Sequence, residues 1–189
     1  MPDLPAEVLK LMSVALTREK RLRLEEEFER YARATNYVIK AILKRRLSRT
    51  GEIINALKEP FASEFDKRVW YLRDVVKTAR VTIADHKRTA KTVRGMRYRQ
   101  PFFKQGRMIL SQPIVKVGVS ALILRMPDRT QLAIPYDKRS RNRESQVLAF
   151  MVRGEREERN KKYERVRVTW NKEGFVNIDI RVLLGEMKK

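Results

Sequence analysis

The spacing of apolar residues divides the chain into a helical first half and a strand-rich second half. In the first half, apolar residues recur in alternating steps of three and four, which predicts two long amphipathic helices. The first should span 17–47, and the second should span 63–95 with Ser63 as its N-cap. A shorter helix over 51–58, stopped by Pro60, is expected between them. With so short a connection, we expect the two long helices to form an antiparallel pair.

Short apolar or alternating runs, bounded by Gly, Pro or Ser, dominate the chain after Pro101 and indicate antiparallel strands. One further strand should precede the helices. The predicted strands are 9–16, 108–110, 114–119, 122–126, 130–134, 146–152, 163–170 and 175–182. The last two form the clearest hairpin, with a turn at 171–174, whereas 140–145 is expected to be a polar loop. The pattern predicts an α+β protein with a small barrel or a strongly bent sheet.

Charge is the most informative part of the composition. The 189 residues include 44 Lys and Arg against 23 Asp and Glu, a formal net charge of +21. A surplus of this size attracts polyanions, of which nucleic acid is the commonest. With 42% hydrophobic residues the chain can bury a core, and its length suits one large domain or two small ones.

The sequence contains no Cys, which excludes disulfides, thiolate metal sites and cysteine nucleophiles. No apolar run approaches the ~18 residues that a membrane span needs, and the first residues lack the features of a signal peptide. We therefore expect a cytoplasmic protein with no membrane partner. A charged fraction of 35% without any Cys is also typical of a thermophile.

The basic surplus is concentrated in the interval 87–116, which holds nine basic residues and no acidic one. Basic side chains neutralise phosphates, and the aromatic rings interleaved with them can stack on unpaired bases. The predicted nucleic-acid-binding residues here are Lys87, Lys91, Arg94, Arg97, Tyr98, Arg99, Phe102, Phe103, Lys104 and Arg107. Burial of the two Phe rings in a core is an equally open interpretation.

A second basic cluster falls in the predicted polar loop and is also expected to bind nucleic acid. It consists of Lys138, Arg139, Arg141 and Arg143. Such a run can hold a phosphate backbone. By contrast, acidic residues alternate with basic ones over 153–165, which is typical of a solvated, salt-bridged segment.

Residues that would support catalysis are few. His86, the single histidine, lies on the apolar stripe of its predicted helix, where a partly buried imidazole is expected rather than a base or ligand. The sequence holds no Gly-rich phosphate loop, nucleophile elbow or pair of His ligands. The carboxylates of Asp128, Asp137 and Asp179 are isolated in sequence and do not suggest a metal-dependent nuclease site. We predict no catalytic residue, no metal and no cofactor.

The order of several degenerate motifs resembles the N-terminal part of TnpB/OrfB, the transposon-associated RNA-guided nucleases. The motifs are Thr17-Arg18-Glu19, Ala34-Thr35-Asn36-Tyr37-Val38, Asp85-His86-Lys87-Arg88, Arg99-Gln100-Pro101-Phe102, Met108-Ile109-Leu110, Pro127-Asp128-Arg129, Ile134-Pro135 and the hairpin 166–182. The resemblance covers about residues 9–182. It implies an OB-like, wedge-type β-barrel from 8–16 and 101–186, and a recognition segment, a long helical hairpin, inserted as 17–100 after the first strand.

The resemblance further implies that these parts hold a guide-RNA scaffold and help to engage target DNA. No residue matches the carboxylate triad of the family's RuvC-like domain, so none is transferred. A fragment of a nuclease and a stand-alone binder both remain open. We therefore predict a non-catalytic nucleic-acid-binding protein with RNA as the preferred partner. The alternatives are an RNA–protein assembly component such as a ribosome-associated protein, and a metal-dependent nuclease; self-association through the helical stripes is a further hypothesis.

Overall fold

A computed structural model describes residues 6–152, 163–171 and 173–183, and it has the predicted α+β composition. The strands are β1 Ala6–Met12, β2 Arg107–Leu110, β3 Val115–Val117, β4 Ala121–Arg125, β5 Gln131–Pro135, β6 Tyr163–Trp170 and β7 Val176–Leu183. The helices are α1 Arg18–Arg45, α2 Thr50–Glu64, α3 Val69–Thr92, α4 Lys138–Arg143 and α5 Ser145–Val152, with a 3₁₀ turn at Arg94–Tyr98. No helix among the described residues is both long and apolar enough to cross a membrane.

Backbone contacts divide the chain into two compact units. The helical unit is Leu24–Arg107, and the β-rich unit combines residues 1–23 with residues 108–189.

In the β-rich unit, where a small barrel or a strongly bent sheet was predicted, the described strands form two antiparallel sheets and not one closed barrel. One sheet has the order β1-β7-β6-β2 and the other β3-β4-β5. Among the described residues, an isolated bridge between Ser13 and Tyr136 joins them beyond the ends of β1 and β5. A closed barrel needs continuous pairing around all strands, whereas Pro113, between β2 and β3, has no N–H to offer a ladder.

The final hairpin is confirmed and carries much of the sheet core. Val166 and Val168 of β6 and Ile178 and Ile180 of β7 are fully buried and pair across the two strands. The alternation that predicted this hairpin places every second side chain on the core face. Gly174 closes the turn with a φ of 90°, a left-handed conformation that favours glycine.

Two segments of this unit form helices where a loop and a strand were predicted. The supposed polar loop contains α4, because the Asp137 carboxylate accepts a hydrogen bond from the Ser140 N–H at 2.8 Å and caps the helix. The supposed strand 146–152 is α5, in which Leu148 and Met151 are buried three residues apart. An apolar run this short fits either structure by pattern alone.

In the helical unit, α2 continues through Pro60 instead of ending before it. Leu57 and Phe61 are fully buried one turn apart, so burial on both sides of the proline outweighs its missing hydrogen bond. Ser63 therefore lies inside α2 rather than capping α3. Arg68 is the N-cap of α3, and Val93, not Gly95, follows its last residue.

The two long helices run in the same direction, so the predicted antiparallel helical hairpin is wrong. Tyr31 of α1 is hydrogen-bonded to Thr78 of α3 at 2.7 Å, and farther along both helices Ile42 and Ile83 line one small cavity. The intervening helix α2 brings the chain back, with Phe61 packed 6.3 Å from Tyr71 between ring centroids. A helix of 15 residues is about 22 Å long, enough to make that return.

Charged groups are buried beside Tyr71 in this unit. Glu27 is 7% exposed and bonded to Arg30, and Asp66 is 5% exposed and accepts a 2.6 Å hydrogen bond from Arg68. The guanidinium carbons of Arg30 and Arg68 lie 5.7 and 5.4 Å from the Tyr71 ring centroid. Burial raises the pKa of Glu27 above its ordinary value, although neighbouring Arg30 opposes the shift.

This raised pKa gives a testable pH dependence. A carboxyl whose pKa is higher in the folded than in the unfolded state loses its contribution to stability as pH rises through the folded value. We expect Glu27→Gln to gain stability relative to the natural chain between about pH 4 and pH 7, measured by thermal unfolding. Glu27→Gln also removes the contact with Arg30, which offsets its curve of stability against pH from that of the natural chain without changing this trend. Exposed Glu26 provides the control Glu26→Gln, and an equal trend in both variants would contradict the expectation.

Candidate nucleic-acid interface

The acid-free interval of the helical unit begins in the last turns of α3, passes through the 3₁₀ turn and continues as the irregular segment 99–106. Five of its exposed cations are here called the basic segment: Lys87, Lys91, Arg94, Arg99 and Lys104. In the part of the chain that the structure describes, none of these five side chains forms a hydrogen bond or an ion pair. Lys87 and Lys91 lie one turn apart on the same side of α3, and Arg94 begins the 3₁₀ turn after the extended residue Val93. The five side chains can therefore reach an anion in solution.

Two aromatic rings of this interval are exposed to a degree that core packing does not explain. Tyr98 is 91% exposed and Phe102 is 69% exposed. A flat apolar ring in this position is available to stack on a partner's planar group. The pairing of exposed rings with neighbouring cations is the arrangement that single-stranded nucleic acid binds.

Phe103 was predicted to bind nucleic acid, but the structure places it in the core. It is 1% exposed, and its ring lies 5.8 Å from Tyr31 between centroids. Its backbone N–H donates to Asn36 Oδ1 at 2.8 Å, and its carbonyl accepts from Asn36 Nδ2 at 3.0 Å. Phe103 is a core residue that cannot stack on a base, because both its ring and its backbone are engaged within the unit.

Arg97 and Arg107 are exposed but have local contacts. The Arg97 guanidinium donates to the carbonyls of Ala90 and Lys91 at 2.9 and 3.4 Å, which caps the last turn of α3. The guanidinium carbon of Arg107 lies 5.1 Å from the Phe103 ring centroid, a cation–π contact. We therefore treat these two residues as positioning the segment rather than as its primary phosphate ligands.

The second predicted cluster forms α4 in the β-rich unit. Lys138 and Arg139 are exposed and Arg141 is half-buried. Arg143 donates to the Lys10 carbonyl at 2.8 Å and pairs with Glu144, so its guanidinium connects α4 to β1. Hydrogen bonds from Ser140 lower the pKa of the capping Asp137, which keeps this carboxylate ionised beside the cations.

The carboxylates considered for catalysis are engaged locally. Asp128 accepts hydrogen bonds from Thr130, which lower its pKa, and lies 3.9 Å from an Arg23 nitrogen. Asp179 lies 3.9 Å from an Arg167 nitrogen. Among the described residues, no three Asp, Glu or His side chains are grouped so as to hold a metal ion.

A cavity of about 500 Å³ in the helical unit brings Phe102, a predicted site residue, together with residues of α1 and α2 that the sequence did not single out. Tyr37, Phe65 and Phe102 line it, with Arg33 and Lys40 among the other lining residues. The apolar stripe of α1 passes through positions 31, 35, 38 and 42, and Tyr37 lies off it. Apart from Phe102, the signal in the sequence that pointed to this surface was an aromatic residue, Tyr37, outside the buried stripe.

No protein-family model matches this chain, and no curated protein sequence matches it.

Proposed function

We propose that the chain binds single-stranded nucleic acid, RNA in preference to DNA, and does not cleave it. The observation that carries the proposal is the basic segment beside Tyr98 and Phe102, two rings that are 91% and 69% exposed. Cations supply salt-dependent attraction to phosphates, and rings of this kind stack on bases that are not paired. Unpaired bases are the usual target of protein recognition in RNA, which favours RNA as the partner.

The order of elements supports a relationship to the front part of TnpB/OrfB. Among the described residues, β1 precedes the three helices α1 to α3, and β2 to β7 follow them, with α4 and α5 between β5 and β6. The two sheets of the β-rich unit, bridged between Ser13 and Tyr136, suit a partly open barrel of OB-like character, an architecture that binds oligonucleotides. On this proposal the β-rich unit corresponds to a wedge domain and the helical unit to a recognition domain.

The proposal is tested by fluorescence anisotropy with one labelled sequence prepared as single-stranded RNA, single-stranded DNA and duplex DNA. We expect the tightest binding to the RNA strand, with log K falling linearly against log salt between about 50 and 200 mM. The labelled strand should stay intact when Mg²⁺ is added. Absence of binding, or affinity independent of salt, would overturn the proposal.

Sequencing the nucleic acid that co-purifies with the chain separates two biological roles. One defined non-coding RNA is expected if the chain resembles TnpB/OrfB in function. Enrichment of ribosomal RNA would favour the RNA–protein assembly component instead.

A further inference from the structure

The cavity beside Tyr37 has three aromatic walls of different exposure. The Phe65 ring lies 5.2 Å from buried Phe61 and 5.4 Å from Tyr37 between centroids. Phe65 is thus anchored to the core on one side and meets Tyr37 on the other. Phe102 completes the lining and is 69% exposed. The result is an open recess with aromatic side chains in its lining that is accessible from solvent.

The position of Phe102 is set by the adjacent residue, Phe103, before any ligand binds. Both polar atoms of the Asn36 side chain bind the backbone of Phe103, and the Phe103 ring is buried. Phe103 therefore acts as an anchor, and Phe102 is held beside the cavity although the segment 101–104 has no regular secondary structure. Such preorganisation reduces the conformational entropy that a ligand must overcome on binding.

The charged residues that line the cavity carry both signs. Arg33 and Lys40 are exposed and seven residues apart on α1, about 10 Å along the helix. Glu29 and Glu64 also line the cavity. Their carboxylates accept hydrogen bonds and repel an anion, so they suit an exocyclic amino group inside the recess, with phosphates at the cations.

From these contacts we infer that the cavity binds one unpaired nucleobase that carries an exocyclic amino group. The inference rests on the proposed function, since the base belongs to the strand that the basic segment holds. Three rings provide the stacking surface, and the two carboxylates provide acceptors for the amino group. Cytosine presents an amino group where uracil presents a carbonyl oxygen, so the recess distinguishes these two bases.

The test measures the affinity of the full chain for three strands of equal length: oligocytidine, oligouridine and an abasic ribose-phosphate strand. Tyr37→Leu and Phe65→Leu should each weaken oligocytidine binding about fivefold to 150-fold, the range for one lost stacking contact. Neither should change affinity for the abasic strand, which lacks bases. Tyr37→Phe keeps the ring and should retain binding. Trp70→Leu is the control, an exposed aromatic residue that does not line the cavity.

The natural chain should also bind oligocytidine more tightly than oligouridine, and Glu29→Gln with Glu64→Gln should reduce that difference. If the natural chain binds none of the three strands, the proposed function itself fails. If it binds oligocytidine in a salt-dependent way while Tyr37→Leu and Phe65→Leu behave like Trp70→Leu, the base pocket is wrong. Equal losses for oligocytidine and the abasic strand would also overturn it, because the rings would then only position the basic segment.

Discussion

Replacing Lys91, Arg94, Arg99 and Lys104 together by glutamine should lower the affinity for single-stranded RNA on the order of 100-fold at about 0.15 M salt. Each phosphate contact to a single strand contributes about 0.7 to the slope of log K against log salt. Losing four contacts should reduce that slope by about 3. Both quantities come from one salt series measured by anisotropy. The four side chains are exposed, so thermal unfolding should change little.

The matched control removes the same charge from other surfaces of the helical unit. Arg45, Lys58, Lys67 and Lys77 are also exposed, and changing all four to glutamine leaves the same net charge on the chain. We expect this control to keep most of its affinity and its salt slope. Equal losses in both quadruple variants would mean that the overall charge of +21, rather than the basic segment, attracts the strand.

Both quadruple variants keep Arg97 and Arg107. The Arg97 guanidinium caps α3 through two carbonyls, and Arg107 contacts the Phe103 ring. Substituting either would disturb the backbone that presents the neighbouring cations. A loss of affinity in such a variant would not separate direct phosphate binding from a displaced segment.

The parts of the fold that could be predicted are those with a long, unambiguous period. The apolar stripe of α1 extends over more than two helical turns, and the alternation of β6 and β7 extends over several residue pairs. Both predictions are confirmed. The segments 138–143 and 146–152 are too short for their period to decide between structures. The Asp137 cap makes the first segment helical, and the burial of Leu148 favours a helix for the second.

Tertiary burial explains the other differences. Nothing near Pro60 in sequence shows that Leu57 and Phe61 are both buried, and the direction of α3 depends on α2 crossing the unit as a full helix. The basic segment was recognisable from the sequence alone, because charge is a property of the residue type and does not depend on tertiary contacts. The division of roles between Phe102 and Phe103 was not, because it depends on Asn36, 67 residues earlier than Phe103.

Phe103→Ala should destabilise the chain by about 3–5 kcal/mol, the usual cost of removing a fully buried phenyl ring. The ring is 1% exposed and packs against Tyr31, and its removal leaves a cavity that the two Asn36 hydrogen bonds prevent the backbone from filling. Phe102→Ala should change the free energy of unfolding by less than about 0.5 kcal/mol, as exposed positions usually do. Chemical denaturation of both variants measures the difference.

Nucleic-acid affinity should show the opposite order for these adjacent residues. Phe102→Ala removes a ring that is 69% exposed and should weaken binding to single-stranded RNA by about 1–3 kcal/mol. Phe103→Ala, measured at a temperature where it remains folded, should bind more tightly than Phe102→Ala, because it keeps the Phe102 ring and the two Asn36 hydrogen bonds to the backbone of residue 103 that help to position it. Phe102→Tyr, which preserves a stacking surface, should restore affinity. Destabilisation by Phe102→Ala comparable to that of Phe103→Ala would contradict the assignment of one ring to the core and the other to the ligand.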